Sequence, residues 1–343
     1  MLITIIGGGN GAFAAVADLT EASHEVRWWR RGGDHGLHAI TVQDYAGTRQ
    51  VPARATDDLG AALAGAQLIL VPLPATAQED VARALAPHLA AGQTVVAMPG
   101  SLGSVVMAKA ARAARPQLPA GLRFAETGSL PWITRKAAED TITITTRGTL
   151  MTLGTSDGEA TDEVADLLRE AFPGVTIDAR RDALDAALTN GNPVLHTPLV
   201  LMNAGVIAAG GPFEPHGEGT QGPIRAVQDA LDAERIAIRE TLGYAAPHYP
   251  LADFYGPGVW FYDRLGQDLP QVAPQPHERI DFVSHRYVAE DIVIGLALLV
   301  SLAHDYGIEA PLARGFLAQA SAILGRDLRD VPDLPPVSSL AVM

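Results

Sequence analysis

The sequence predicts an α/β fold, a doubly wound parallel sheet followed by an all-α C-terminal domain. Three observations predict it. An apolar strand runs through a glycine turn into an Ala-rich helix at residues 2–19, apolar runs then alternate with amphipathic helices to about residue 181, and from Asp182 strand signals give way to helical periodicity. The expected domains are residues 1–181 and 182–343, divided where the composition shifts.

The first strand is Leu2-Ile3-Thr4-Ile5-Ile6, apolar enough to be buried on both faces, and Gly7-Gly8-Gly9-Asn10-Gly11-Ala12 follows it directly. The spacing Gly7-x-Gly9-x-x-Ala12 matches the dinucleotide fingerprint of a Rossmann domain. Gly7 permits the tight turn, Gly9 lets a pyrophosphate approach the backbone, and Ala12 allows close helix–strand packing. N–H groups at the helix start then meet the anion, so Gly7, Gly9, Asn10, Gly11 and Ala12 are the expected cofactor contacts.

The second strand, Glu25 to Trp29, ends at Arg30-Arg31, where an NAD-binding fold places an acidic residue for the ribose 2′-hydroxyl. Two guanidiniums suit a 2′-phosphate, which makes NADP the preferred cofactor with NAD possible; the other reading is a pair of solvated strand-end charges. Leu68 to Pro74 is the next buried strand, with Pro72 in a turn where a ring or phosphate can rest. An amphipathic helix over about 77–90 and a strand over 94–100 repeat the pattern. Residues 124–132 read as one further strand with a polar end that includes Glu126. Residues 141–146, 149–154 and 174–179 read as extra edge strands, with a helix over about 160–171.

The second domain opens on Asn190 through Gly205, an apolar helix on which Asn192, His196 and Asn203 share one face. Such a stripe is either a satisfied core network or the lining of a site. The turn-rich loop at 210–220 carries Glu214, His216 and Glu218 in alternation, and is read as a solvated connection with no metal. Residues 224–242 form a long amphipathic helix whose Leu231-Asp232-Ala233-Glu234-Arg235 charges are taken as a solvated face. Aromatics at Phe254, Tyr255, Trp260, Phe261 and Tyr262 are read as packing. Arg286 to Leu296 begins the most apolar helix, where a buried Asp291 needs a donor and His196 is a chemically suitable one. The proline-containing tail from Asp330 is expected to be extended.

Of the 343 residues, 48% are apolar and 19% charged, and the formal charge is -14. That charge argues against nucleic acid or an anionic membrane as partner and leaves a small metabolite. No cysteine is present, which excludes disulfides and thiol chemistry and fits a reducing, cytoplasmic setting. Met1 leads straight into a strand, and the apolar segment Ile292 to Ala303 is too short to span a bilayer, so neither an address nor an anchor is expected. That segment and the Ala-rich helix near Leu317 are candidates for a homodimer interface.

Taken together, these residues resemble the opine dehydrogenase family, the octopine and nopaline dehydrogenase type, over nearly the whole chain. The resemblance rests on Gly7 to Ala12, Glu126-Thr127 with Leu130-Pro131, Asn192-Pro193 followed by His196, Leu231 to Arg235, and Arg286-Tyr287 with Glu290-Asp291. It implies a histidine–aspartate pair, His196 and Asp291, with Arg286 holding a substrate carboxylate and Asn192 and Glu126 near substrate. It also implies NAD(P)H-dependent reduction of the imine formed from a 2-oxo acid and an amino acid or amine, with His196 as general acid/base. The sequence departs at Ile292-Val293-Ile294, where relatives tend to carry a proline. The alternatives are a ketoreductase of the ketopantoate or 6-phosphogluconate type, or an NADP-binding sensor. The former generally relies on a lysine early in the helical domain, and no lysine follows Lys136 here.

Overall fold

The computed structural model describes residues 1–211, 213–254, 261–264, 267, 269 and 279–329. These residues form two compact units. The first comprises Met1–Ala187 with the described residues of 260–272, and the second takes the described residues from Leu188 onward, excluding that stretch.

In the first unit, β1 (Leu2–Ile6) leads through the glycine turn into α1 (Asn10–Glu21) and β2 (Glu25–Trp29). A hairpin of β3 (Ala39–Asp44) and β4 (Gly47–Pro52) follows, then β5 (Ala55–Thr56), α2 (Leu59–Leu63), β6 (Leu68–Val71), α3 (Ala75–Leu85), β7 (Thr94–Ala97) and α4 (Gly103–Ala114). The unit continues with β8 (Arg123–Thr127), β9 (Trp132–Lys136), β10 (Thr141–Arg147), β11 (Leu150–Thr155), α5 (Thr161–Ala171), β12 (Thr176–Ala179) and α6 (Ala183–Ala187).

Eight strands make one sheet in the order β12-β11-β8-β7-β6-β1-β2-β5, parallel throughout except where β11 runs antiparallel to β8. The fully buried runs of β6 and β7 are apolar because helices cover both faces of a parallel sheet. One core gathers Phe13, Trp28, Ile144 and Leu168 around α1 and α5; the other packs Leu85, Met107 and Phe124 beneath α3 and α4.

A second sheet, β4-β3-β10-β9, lies outside the predicted pattern. Residues 124–132 divide between β8 in the first sheet and the beginning of β9 in the second, and β10 is an interior strand rather than an edge. Charge ties this sheet to α1: Arg147 reaches Asp18 and Asp44 at 2.8 Å, and Arg49 reaches Asp44 at 2.8 Å. Burial raises the Asp44 carboxyl, but hydrogen bonds from both arginines hold it below its usual range.

The second unit contains α7 (Asn192–Met202), α8 (Ala204–Ala209) and α9 (Gly222–Thr241), a π-helical segment (Tyr287–Leu296), α10 (Ala297–Asp305) and α11 (Pro311–Leu324). The charges of α9 are not a solvated face. Arg235 is 1% exposed and donates to the Leu188, His248 and Tyr249 carbonyls, while Asp232 accepts from Arg235 and from Leu251 N. Glu234 accepts from Leu312 N and Ala313 N, satisfying open N–H groups at the start of α11. A buried guanidinium is tolerable because carbonyls and a carboxylate take its protons.

The apolar helix at 292–303 is longer than the sequence suggested. Helical structure runs from Tyr287 to Asp305, 19 residues with mean hydropathy 1.6, long and apolar enough to cross a membrane; 67% of it is buried within the protein, as in a core helix. Tyr255, Trp260 and the tail from Asp330 lie outside the described residues.

Candidate functional site

The glycine turn is built for close approach. Gly7 takes a φ of +122°, which an L side chain rarely adopts, and its N–H bonds the Trp29 carbonyl at 2.9 Å. Pro72 and Leu130 press on Gly11, and Ala12 is fully buried. Nothing stands within 4 Å of the point where a Gly9 Cβ would sit, so the backbone there is bare. A bare Gly9 at the start of α1 fits the pyrophosphate of a dinucleotide. Pro72 itself is buried and serves as the wall against which the turn packs.

Arg30 leaves the end of β2 and folds back along the turn, its Nε 3.1 Å from the position of a Gly8 Cβ. Its guanidinium lies 5.0 Å from the Trp28 ring centroid and 5.5 Å from that of Phe13. Arg31 is exposed.

Asn10 acts through its side chain. Its Oδ1 accepts from Lys136 N at 2.9 Å, tying the end of β9 to the glycine turn. Lys136 Nζ in turn lies 3.9 Å from the Phe13 ring centroid. Sequence reasoning missed Lys136 because it belongs to the second sheet, 126 residues along the chain from Asn10.

Glu126, expected near substrate, is instead an internal cap. Its carboxyl is fully buried and accepts from Leu102 N at 3.0 Å, Ser104 N at 2.9 Å and Ser104 Oγ at 2.6 Å, at the start of α4. Gly100 has no Cβ because the Glu126 side chain occupies that place. Burial pushes the carboxyl up to about 7 despite these donors. Every oxygen lone pair in use is directed at α4, so substrate recognition is not its role here.

In the second unit α7 packs against the π-helical segment, and Gly295 makes this possible: a Cβ there would collide with Pro193. One turn away from that contact, His196 Nδ1 lies 2.7 Å from Asp291 Oδ2, with both side chains buried. Burial raises the Asp291 carboxyl, and the nearby charges of Arg286 and His285 pull it back. A carboxylate on Nδ1 fixes the imidazole tautomer and ring orientation.

Tyr287, four residues before Asp291, stacks on His196 with ring centroids 3.6 Å apart. His216 Nε2 lies 2.9 Å from the Tyr287 hydroxyl, and the His285 ring meets Tyr287 edge-on at 4.4 Å. The 210–220 loop is therefore no bare connection, since it delivers His216 to the pair. Its carboxylates serve the loop itself: Glu214 accepts from His216 N and Gly217 N, and Glu218 accepts from Glu214 N. Among the described residues no group of three or more His, Asp or Glu is placed to hold a metal.

The polar stripe of α7 divides by function. Asn203 is bound to the Leu199 and Gly219 carbonyls as a structural brace. Asn192 is half-buried, and its side-chain amide makes no hydrogen bond among the described residues. Arg286 is partly exposed beside Glu290, at 3.9 Å.

Residues 179–324 match the family described as NAD/NADP octopine/nopaline dehydrogenase, alpha-helical domain. An opine dehydrogenase of Arthrobacter sp. (strain 1C) is 24% identical over 95% of this chain and 91% of its own. Octopine dehydrogenase in complex with NADH and agmatine shares the fold at a TM-score of 0.68 and 19% identity, over 95% of this chain and 90% of that one. Yersinopine dehydrogenase with NADP+ bound does so at 0.62 and 14%, over 100% and 97%. A PanE/ApbA family ketopantoate reductase from Ralstonia eutropha JMP134 also shares it, at 0.62 and 20%, over 94% and 98%.

Proposed function

We propose that this chain, whose helical region matches the octopine/nopaline dehydrogenase family, is an opine dehydrogenase that joins a 2-oxo acid to an amino acid or amine and reduces the product with NADPH. The buried His196–Asp291 hydrogen bond carries the reading, because it supplies an oriented acid/base on the helical unit. His196 Nε2 takes a proton from the substrate ammonium, freeing the nitrogen to attack the carbonyl carbon. The imidazole returns that proton to the former carbonyl oxygen, which takes a second proton from the attacking nitrogen and departs as water, leaving a protonated imine. The bound nicotinamide supplies hydride to the imine carbon. Per turnover one oxo acid, one ammonium and one NADPH give one secondary amine, one water and one NADP+.

Asp291 keeps the imidazolium stable while the proton is held, and Arg286 pairs with the oxo acid's carboxylate. Asn192, with its uncommitted amide, hydrogen-bonds substrate. Arg30 and Arg31 at the end of β2, with no acidic residue there, support NADPH over NADH.

A ketoreductase is the second reading, favoured by the shared fold of the ketopantoate reductase. The two separate in one spectrophotometric screen of NADPH oxidation across oxo acid and amine pairs. Oxidation that needs both partners supports the proposal, whereas equal oxidation with the oxo acid alone indicates a ketoreductase. In the active pairing His196→Ala lowers kcat by about two to four orders of magnitude.

A further inference from the structure

Phe13, on the first turn of α1, has two cations over its ring. Lys136 Nζ is 3.9 Å from its ring centroid and the Arg30 guanidinium 5.5 Å. Among the described residues neither cation is within ion-pair distance of an acidic group, although the chain as a whole is strongly acidic. Lys136 and Lys109 are the only two lysines in the sequence, and Lys136 is half-buried.

Two like charges repel, and the effect is visible on Lys136: burial lowers its ammonium and the positive charge of Arg30 lowers it further, against weaker help from Glu139 and Asp140. A fold keeps such a cost where an anion later removes it. Lys136 is also fixed in place, since its backbone N–H is bound to Asn10 in the glycine turn and Ile142 pairs with it across the β9–β10 ladder. Arg30 stands where β2 ends, the place at which a dinucleotide fold meets the ribose 2′ position.

We infer that Lys136 is a specificity-determining residue that, with Arg30 beside the same Phe13 ring, clamps the 2′-phosphate of NADPH. This rests on the NADPH reading of the preceding subsection. A dianionic phosphate accepts from the guanidinium and the ammonium together, and the phenyl ring holds both against loss of order. The pyrophosphate is served elsewhere, at the bare backbone of Gly9. Lys136 therefore discriminates between the two cofactors without contributing to what they share.

The test is isothermal titration of NADPH and NADH into wild type, Lys136→Met and Lys136→Arg, with no substrate present. Wild type binds NADPH more tightly. Lys136→Met raises the NADPH Kd by about ten- to fiftyfold while NADH changes by less than about twofold, and Lys136→Arg recovers most of the loss. An unchanged NADPH Kd in Lys136→Met, with wild type still preferring NADPH, overturns the role of Lys136 and leaves the NADPH reading standing. Equal losses for both cofactors overturn it too, because they assign Lys136 to the turn or the pyrophosphate. A wild type that binds NADH as tightly as NADPH removes the NADPH reading itself.

Discussion

Tyr287 lies nearly flat on His196, its plane 17° from that of the imidazole and its hydroxyl 2.9 Å from His216 Nε2. Stacking restricts the rotation of an imidazole already bound to Asp291, so two contacts fix one ring. Removing the hydroxyl and removing the ring are different injuries. Tyr287→Phe keeps the stack and is expected to lower kcat less than about tenfold, while Tyr287→Leu releases the imidazole and lowers it by about ten- to a hundredfold, the cost of a misplaced catalytic group. Steady-state kinetics on the two variants decides this, and equal losses would mean that the hydroxyl, not the stack, matters.

Arg286 and His285 are the charges that oppose the burial of Asp291. Arg286→Met removes one of them, so the Asp291 carboxyl titrates at higher pH and stays protonated further up the scale. The acidic limb of the kcat/KM profile should move to higher pH, and, on the proposal that Arg286 pairs with the oxo acid's carboxylate, the KM for the oxo acid should rise about tenfold or more. A raised KM with an unmoved limb would confine Arg286 to substrate binding.

Gly9 offers a clean separation of folding from binding. Its φ of −85° suits any residue and its surroundings are open, so Gly9→Ala should fold normally, with Tm within about 2 °C of wild type. The added methyl occupies the approach of the pyrophosphate, and the Kd of both NADPH and NADH should rise at least about tenfold. Thermal melting together with cofactor titration checks both halves.

Glu126 makes stability depend on pH. Its carboxyl titrates near 7 in the folded protein against an ordinary value of 4.5, so between those limits the folded state binds more protons than the unfolded one. By linkage, stability then falls as pH rises through this window, by on the order of 3 kcal/mol at most. Glu126→Gln keeps the shape without the charge, and its Tm should gain on wild type between pH 5 and pH 8. Glu126→Ala leaves the α4 donors buried and unmet, at a cost of about 2–4 kcal/mol. A Gln variant that loses ground as pH rises would show the native carboxyl to be ionised.

Local signals explain what was legible. The strands β1, β2, β6 and β7 are short apolar runs with turn residues after them, and the glycine spacing announces its own geometry. His196 and Asp291 were chemically suited to each other, but only packing across 95 residues of chain could bring them together. That packing depends on Gly295 against Pro193, a contact with no periodic signature. β3 and β4 escaped notice because their alternation leaves half of each strand polar. Glu126 departs from its sequence expectation for a different reason: a carboxylate at a strand end looks alike whether it faces a ligand or a helix. Tyr287 and Asp291 share a helical spacing, a signal that could have paired them, while nothing in the 210–220 loop foretold that His216 would meet the Tyr287 hydroxyl.

The Glu126 side chain fills the place a Cβ on Gly100 would need, and Ser104 gives it two of its three donors. Three positions separated along the chain are thus one inherited unit. In any descendant of this sequence a side chain at 100 becomes tolerable only once residue 126 has shrunk, and a shrunken 126 leaves 104 free to drift. The order of those substitutions is constrained: the carboxyl must go first.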